Sequence, residues 1–226
     1  MASGIAHEIN NPLAILQSSM YLINKTMDKA PLDDKLIRSL TTKSIEVINR
    51  IANIIKSLRQ LAVTSKNEPI LDFDLTILLD QIQNLCSERI KTEEVEFKIP
   101  DLKGTYISIH GRQAEILQSL LSLIYIALDA VKNSSSKWIE IDFSSKDNFV
   151  FIDVSDSGPG VDESIRSKIM EPFFTTKEVN KGMGLGLSIT STILQSQNGS
   201  VEFLENKKIT TFRIKIPGSI IKADLA

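Results

Sequence analysis

Residues 148–160 read NFVFIDVSDSGPG, and their reading decides the fold of the larger part of the chain. The first seven residues form a β-type run of aromatic and β-branched side chains. Asp156 stands where that strand ends, and Ser157-Gly158-Pro159-Gly160 turn the chain immediately afterwards. A carboxylate at a strand end is suited to accept a hydrogen bond from an exocyclic amine such as that of adenine. Two further segments follow in order, Pro172-Phe173-Phe174-Thr175-Thr176-Lys177 and Gly182-Met183-Gly184-Leu185-Gly186-Leu187. The second opens a helix expected to run to about Gln197. Alternate glycines there let backbone N–H groups approach oxyanions at a helix N-terminus, and Lys177 and Lys181 flank the segment and can neutralise phosphate charge. Neither glycine segment has the spacing of a Walker A loop or a Rossmann fingerprint. Taken alone, 156–160 is also compatible with a plain turn in which Asp162 caps the next helix.

Working outward, further β-type runs lie at 94–99 (EVEFKI), 105–109 (TYISI), 137–143 (KWIEIDF), 200–204 (SVEFL) and 209–216 (ITTFRIKI). Helical stretches are expected at about 74–91, 112–132, 162–169 and 186–197. Strands interleaved with helices, the last two strands joined by a turn near Asn206, predict a two-layer α/β sandwich over residues 70–220.

Residues 1–66 follow a different rhythm, with one glycine, Gly4, and one aromatic residue, Tyr21. Apolar side chains fall at Ile5, Ile9, Leu13, Leu16, Met20, Ile23 and Met27, in steps of three and four. After a break at Ala30-Pro31 a heptad seam runs through Ile37, Leu40, Ser44, Val47, Ile51, Ile54, Leu58 and Leu61. A second apolar row, Ile45, Ile48 and Ile55, widens the face of that helix. One hairpin cannot cover faces this wide, so the segment is expected to be an α-helical hairpin that pairs with a second copy, giving a homodimeric four-helix bundle. The competing arrangement is a monomer whose hairpin packs on its own α/β domain. Thr64 to Pro69 is the natural linker.

His7 is expected on the solvent side of the first helix, with Glu8 adjacent and Asn11 one turn on. A solvent-facing imidazole beside a carboxylate that binds the proton on its second nitrogen is a nucleophile arrangement. An ordinary polar helix face explains the same spacing equally well. Pro12 removes the intrahelical partner of the Glu8 carbonyl, which predicts a kink. The stripe Ala14, Ser18, Tyr21 and Lys25 continues the His7 face and is polar or small enough to receive another protein.

Composition narrows the class. Acidic residues number 28 and basic residues 26, a net charge of −2, so there is no basic excess of the kind a nucleic-acid binder carries. One cysteine, Cys86, excludes an internal disulfide framework, and two distant histidines, His7 and His110, argue against a histidine-based metal site. No signal-peptide pattern or membrane segment is expected, and the chain reads as a soluble protein of a reducing compartment.

Together these motifs resemble the cytoplasmic core of a two-component sensor histidine kinase. His7-Glu8-Ile9-Asn10-Asn11-Pro12 resembles the H box, 156–160 the G1 box, 172–177 the F box and 182–187 the G2 box. The resemblance implies a dimerisation and histidine-phosphotransfer hairpin over 1–66, followed by an ATP-binding domain of the Bergerat fold over 70–220. It implies that His7 takes the γ-phosphate of ATP with Glu8 as base, and that the phosphoryl group passes to an aspartate on a response-regulator receiver domain. It also implies that Asn11 occupies the position that, in this family, helps to place a water for dephosphorylating the receiver. Nucleotide contacts would fall to Asp156, Gly158, Gly160, Phe173, Thr176, Lys177, Lys181, Gly182, Gly184, Leu185, Gly186 and Leu187. Only residues 178–181 separate Lys177 from Gly182, so the lid is short. Another Bergerat ATPase, such as a chaperone or topoisomerase subunit, is disfavoured by the His7 motif and its heptad hairpin.

The chain departs from the family in the helix that should supply Mg²⁺ ligands. Matching Gln118, Ala127 and Ala130 to that pattern puts Ser122 and Ile126 where two asparagines are expected, and Arg112 where an aspartate often opens the helix. Ile126 offers no oxygen to a cation that wants an octahedral oxygen shell. Ser122 and Asp129 are the oxygen-bearing side chains left on that face. The alternative reading is therefore a degenerate, non-catalytic relative, a receiver phosphatase or docking dimer that binds nucleotide.

Overall fold

The computed structural model describes residues 2–27, 33–62, 69–177, 184–205 and 209–222, with the side chains of 2–9, 50, 53–62 and 222 left out of the description. The chain divides into two compact units, residues 1–63 with 175–183, and residues 64–174 with 184–226.

The first unit contains helices α1 (Ala2–Met27) and α2 (Asp34–Ala62). Asp33 starts α2 by accepting the Leu36 N–H on Oδ1 at 2.9 Å. Pro12 lies inside α1. On α2 the buried and half-buried row is Ile37, Leu40, Ser44, Val47 and Ile51, the seam expected from the heptads. The polar gap at Ser44 is closed locally, because its hydroxyl donates to the Leu40 carbonyl at 2.8 Å. On α1 the row is Pro12, Leu16, Ser19, Ile23 and Thr26, offset by one residue at several positions from the one expected. Leu13, Met20 and Met27 are exposed, as are Ile45 (54%) and Ile48 (51%) on α2.

The second unit contains β1 (Leu71–Asp74), α3 (Leu75–Thr92), β2 (Glu96–Lys98), β3 (Thr105–Gly111), α4 (Gln113–Val131), β4 (Trp138–Lys146), β5 (Phe149–Asp156), α5 (Gly186–Gln195), β6 (Ser200–Phe203) and β7 (Thr210–Lys222). Its strands form one sheet in the order β1-β3-β7-β5-β4-β2, with β6 also paired to β7. Only β2 and β4 run parallel among these pairs. On β5, Ile152 and Val154 point into the core with Phe212, Ile214 and Ile216 of β7, while Asp153 and Arg213 alternate to the other face. There Arg213 clasps Asp153 in two hydrogen bonds, Nε to Oδ1 at 2.7 Å and Nη2 to Oδ2 at 2.8 Å, across directly paired positions. Helices α3, α4 and α5 supply the second layer. Leu75, Leu78, Ile82, Ile116, Leu120, Ile124 and Leu128 are fully buried against the strands, each contributing about 1.5–3 kcal/mol of hydrophobic stabilisation.

Several expectations are corrected. The helix expected over 162–169 is a single 3₁₀ turn, Glu163–Ile165, capped by Asp162, whose Oδ1 accepts the Ser164 N–H at 2.8 Å. The segment before Pro172 is too short to repay α-helix nucleation, and it proceeds through i→i+3 bonds such as Lys168 N–H to Ile165 O at 2.8 Å. The short strand β1 has no counterpart among the expected strands, and β7 runs through Pro217-Gly218 instead of stopping at 216. Gly218 sits where β7 passes from β5 to β3, and a side chain there would collide with the Ser108 carbonyl. Helix α4 is the one described helix long and apolar enough by composition to cross a membrane, and 50% of its apolar window is buried. Its apolar residues face the sheet and neighbouring helices, so this length of apolar helix belongs to the core.

Candidate nucleotide site

Strand β5 ends on Asp156, which is 1% exposed and paired in register with Ile139 on one side and Thr210 on the other. The Gly158 N–H donates to Asp156 Oδ1 at 2.8 Å. Burial raises the carboxyl pKa from 3.8 to about 6, against the opposing pull of the Gly158 N–H and the Thr210 hydroxyl. A carboxylate this deep, with so little compensation, favours a ligand that brings an N–H donor.

The loop after Asp156 is anchored at both ends of Ser157. Its N–H donates to the Trp138 carbonyl at 3.1 Å, and its hydroxyl accepts the Trp138 N–H at 2.9 Å. Gly158 then passes so close to α4 that a Cβ would lie 2.6 Å from Asp156 Oδ1 and 2.9 Å from Ala130 Cβ. Further along, the Phe173 N–H donates to the Gly184 carbonyl at 2.9 Å, although Phe173 holds φ at +69°. A bulky residue in that region is strained by about 1–3 kcal/mol, and such strain clusters at ligand clamps. Gly184 has φ +64°, and a side chain on it would strike the Phe174 carbonyl. This backbone contact brings Phe173 and Gly184 together.

Leu185 and Gly186 open α5 without a side-chain cap, leaving the first N–H groups of a ten-residue helix for another acceptor. A Cβ on Gly186 would lie 2.8 Å from Ser122 Oγ and 3.6 Å from Ile126 Cδ1. Helix α4 is thus the shared floor: its Ala130 meets the loop of Asp156, and its Ser122 and Ile126 meet the start of α5.

Among the expected site residues, Asp156, Gly158, Gly160, Phe173, Gly184, Leu185, Gly186 and Leu187 all belong to this α/β unit. Thr176 and Lys177 fall within the other unit, and Lys181 and Gly182 lie outside the described residues. His7 and Glu8 are helical in α1, with side chains outside the description, while Asn11, Ala14, Ser18, Tyr21 and Lys25 are exposed. Ser122 is half-buried beside Gly186. Asp129 forms an ion pair with Arg89 of α3, whose Nε also donates to Glu93 Oε1 at 2.8 Å. Arg112 does not cap α4 with its side chain, and its guanidinium lies 3.3 Å from the buried Glu115, which also accepts from Gln197 Nε2 at 3.0 Å. Sequence reading missed Thr210 and Arg89, because neither lies in a motif. The signal for Thr210 was the pairing of the run 148–154 with 209–216, had its register been known.

The residues fit an adenine nucleotide: a buried acceptor at a strand end, glycines where backbones close in, and an uncapped helix start. They do not fit a protein-held Mg²⁺. At the three α4 positions, Ser122 offers one hydroxyl, Ile126 offers carbon, and the Asp129 carboxylate is paired with Arg89. No group of three His, Cys, Asp or Glu side chains able to hold a metal occurs among the described residues.

Residues 111–220 match the family model of histidine kinase-, DNA gyrase B- and HSP90-like ATPases. The catalytic domain of the histidine kinase ThkA superposes with a TM-score of 0.56 at 28% identity, covering 66% of this chain and 95% of that domain. The α/β unit has the fold of a histidine kinase ATPase domain. Relatives along nearly the whole chain agree with this assignment. Sporulation kinase A of Bacillus subtilis is 28% identical over 96% of this chain and 34% of its own length. The sensor protein FixL of Bradyrhizobium diazoefficiens is 26% identical over 97% of this chain and 43% of its own. The two-component sensor PprA of Pseudomonas aeruginosa is 26% identical over 96% and 24%. The chain therefore spans 24–43% of the length of these three relatives.

Proposed function

We propose that the chain is the core of a sensor histidine kinase, which phosphorylates His7 from ATP and passes the phosphoryl group to an aspartate of a receiver domain. The observation that carries the proposal is the order of parts. A helix containing His7-Glu8-Ile9-Asn10-Asn11-Pro12 precedes, on one chain, an ATPase domain whose buried Asp156 and close-approach glycines fit an adenine nucleotide. In this reading one imidazole nitrogen of His7 attacks the γ-phosphorus of ATP. A P–N bond forms, the bond from that phosphorus to the β,γ-bridging oxygen breaks, ADP leaves, and Glu8 accepts the proton from the ring's other nitrogen. The protein contributes positioning and charge neutralisation. Asp156 and Gly158 fix the base, and the N–H groups at the start of α5 meet the phosphates. By the family resemblance, Thr176, Lys177, Lys181 and Gly182 would be further nucleotide contacts.

Residues 1–66 would pair with a second copy into a four-helix bundle, which the exposed Leu13, Met20, Met27, Ile45 and Ile48 favour. The receiver would dock along the exposed stripe Ala14, Ser18, Tyr21 and Lys25, with Asn11 serving in its dephosphorylation. In support, the histidine kinase ThkA, in its complex with the response regulator TrrA, shares the fold over 97% of this chain at a TM-score of 0.64. A second reading, a nucleotide-binding relative acting only as receiver phosphatase or docking dimer, is favoured by Ile126 and by the pairing of Asp129 with Arg89.

Incubation with γ-labelled ATP separates the two readings. Transfer to His7 yields acid-labile, base-stable label that disappears in His7→Gln. Protein that binds ATP and never acquires such label is the non-catalytic relative.

A further inference from the structure

We infer that Arg89 is the built-in counter-cation of the α4 rim: by holding Asp129 in an ion pair it leaves nucleotide binding at this site independent of a divalent cation. The inference rests on the nucleotide-site reading above. Ser122 and Ile126 touch the start of α5, and Ala130 touches the loop of Asp156. At 100° per residue, Asp129 lies within about 20° of Ser122 and about 60° of Ile126 around the helix. Its carboxylate therefore sits on the rim of the face that meets the nucleotide. An uncompensated negative charge beside a triphosphate is repulsive, and the ordinary remedy is a divalent cation bridging the two.

Here the remedy comes from α3. Arg89 reaches across from forty residues away in sequence, donates from Nη2 to Asp129 Oδ1, and is itself braced by Glu93 and by the Tyr125 ring, 5.9 Å from its guanidinium carbon. The side chains of Arg89 and Asp129 are 31% and 32% exposed, so the pair is part of the rim and not of the interior. A guanidinium always carries its charge, and its planar fork can bridge two carboxylates at once. Such a fixture also accounts for the tolerance of isoleucine at 126, since no metal needs a ligand there.

The test uses the 226-residue chain and a fluorescent trinitrophenyl-ATP, titrated in EDTA and in excess Mg²⁺. Wild-type affinity is expected to differ by less than about threefold between the two media. Arg89→Gln should weaken binding in EDTA by about fivefold, and Mg²⁺ should restore it by engaging the released Asp129. Arg89→Lys keeps the charge and should stay near wild type, which separates charge from folding. The double variant Arg89→Gln/Asp129→Asn should bind well in EDTA and gain nothing from Mg²⁺. Wild-type protein that needs Mg²⁺, or an Arg89→Gln variant indistinguishable from wild type in both media, overturns the role of Arg89 while the nucleotide site stands. Wild-type protein that binds no nucleotide in either medium removes the site reading, and this inference with it.

Discussion

Replacing Asp156 by asparagine should stabilise the nucleotide-free protein while crippling its site. The carboxyl titrates at about 6 in the folded chain and at 3.8 as the ordinary value, so between those pH values the folded state holds a proton that the unfolded state has lost. Stability contributed by the protonated form is fully present below pH 3.8 and is lost as pH rises through about 6. A shift of roughly two units corresponds to about 3 kcal/mol at neutral pH, and the 1% exposure of Asp156 leaves little solvent screening to reduce it. The substituted amide would be neutral at all pH values, and its carbonyl oxygen would still accept the Gly158 N–H. Asp156→Asn should therefore melt higher than wild type at pH 7.5, by up to about 10 °C for a chain of this size. The gap should shrink steadily as pH falls to 5. In the same variant, affinity for a fluorescent ATP analogue should drop at least about tenfold, because the acceptor for the adenine amine is halved and a competing donor introduced. Melting curves at pH 7.5, 6 and 5 by circular dichroism, beside nucleotide titrations, supply both readouts. A variant that melts at or below wild type at pH 7.5, with a gap that does not change with pH, would refute the reasoning that burial of this charge is what the fold tolerates for its ligand.

Gly184→Ala places a methyl group against the Phe174 carbonyl at a residue with φ +64°, and should cost at least about 1–2 kcal/mol in urea unfolding together with most of the nucleotide affinity. Gly160→Ala is the contrast: φ is +87° but nothing lies within 4 Å of the added carbon, so its cost should be confined to backbone strain of about 1 kcal/mol, read from the same unfolding curves. Ile48→Asp puts a charge on the exposed apolar face of α2, and light scattering at micromolar concentration should show a monomer, against the dimer expected of wild type. A wild-type monomer would discard the bundle.

What was legible in the sequence was whatever repeats at short range or demands a special residue. The period-two runs marked six of the seven strands, and the seam Ile37, Leu40, Ser44, Val47 and Ile51 marked the buried side of α2. The glycine segments marked the loops around the site, because close backbone approach excludes a Cβ and so leaves its trace in residue type. Asp156 was legible for a similar reason: a strand-end carboxylate followed by glycines has few structural uses. The offset row on α1 was not legible, since Leu13 and Pro12 are equally apolar and only the partner helix selects between them. Nor was β1, four residues whose conformation is set by pairing Asp72 with His110 and Phe73 with Ile109. Tertiary structure alone decided that Thr210 lies across from Asp156, that Ser122 and Ile126 meet Gly186, and that Asp129 meets Arg89. Each of these pairs joins segments far apart along the chain. Local periodicity sets which face of an element is buried, but the partner brought to that face is chosen by sheet register and helix packing, which depend on the whole core at once.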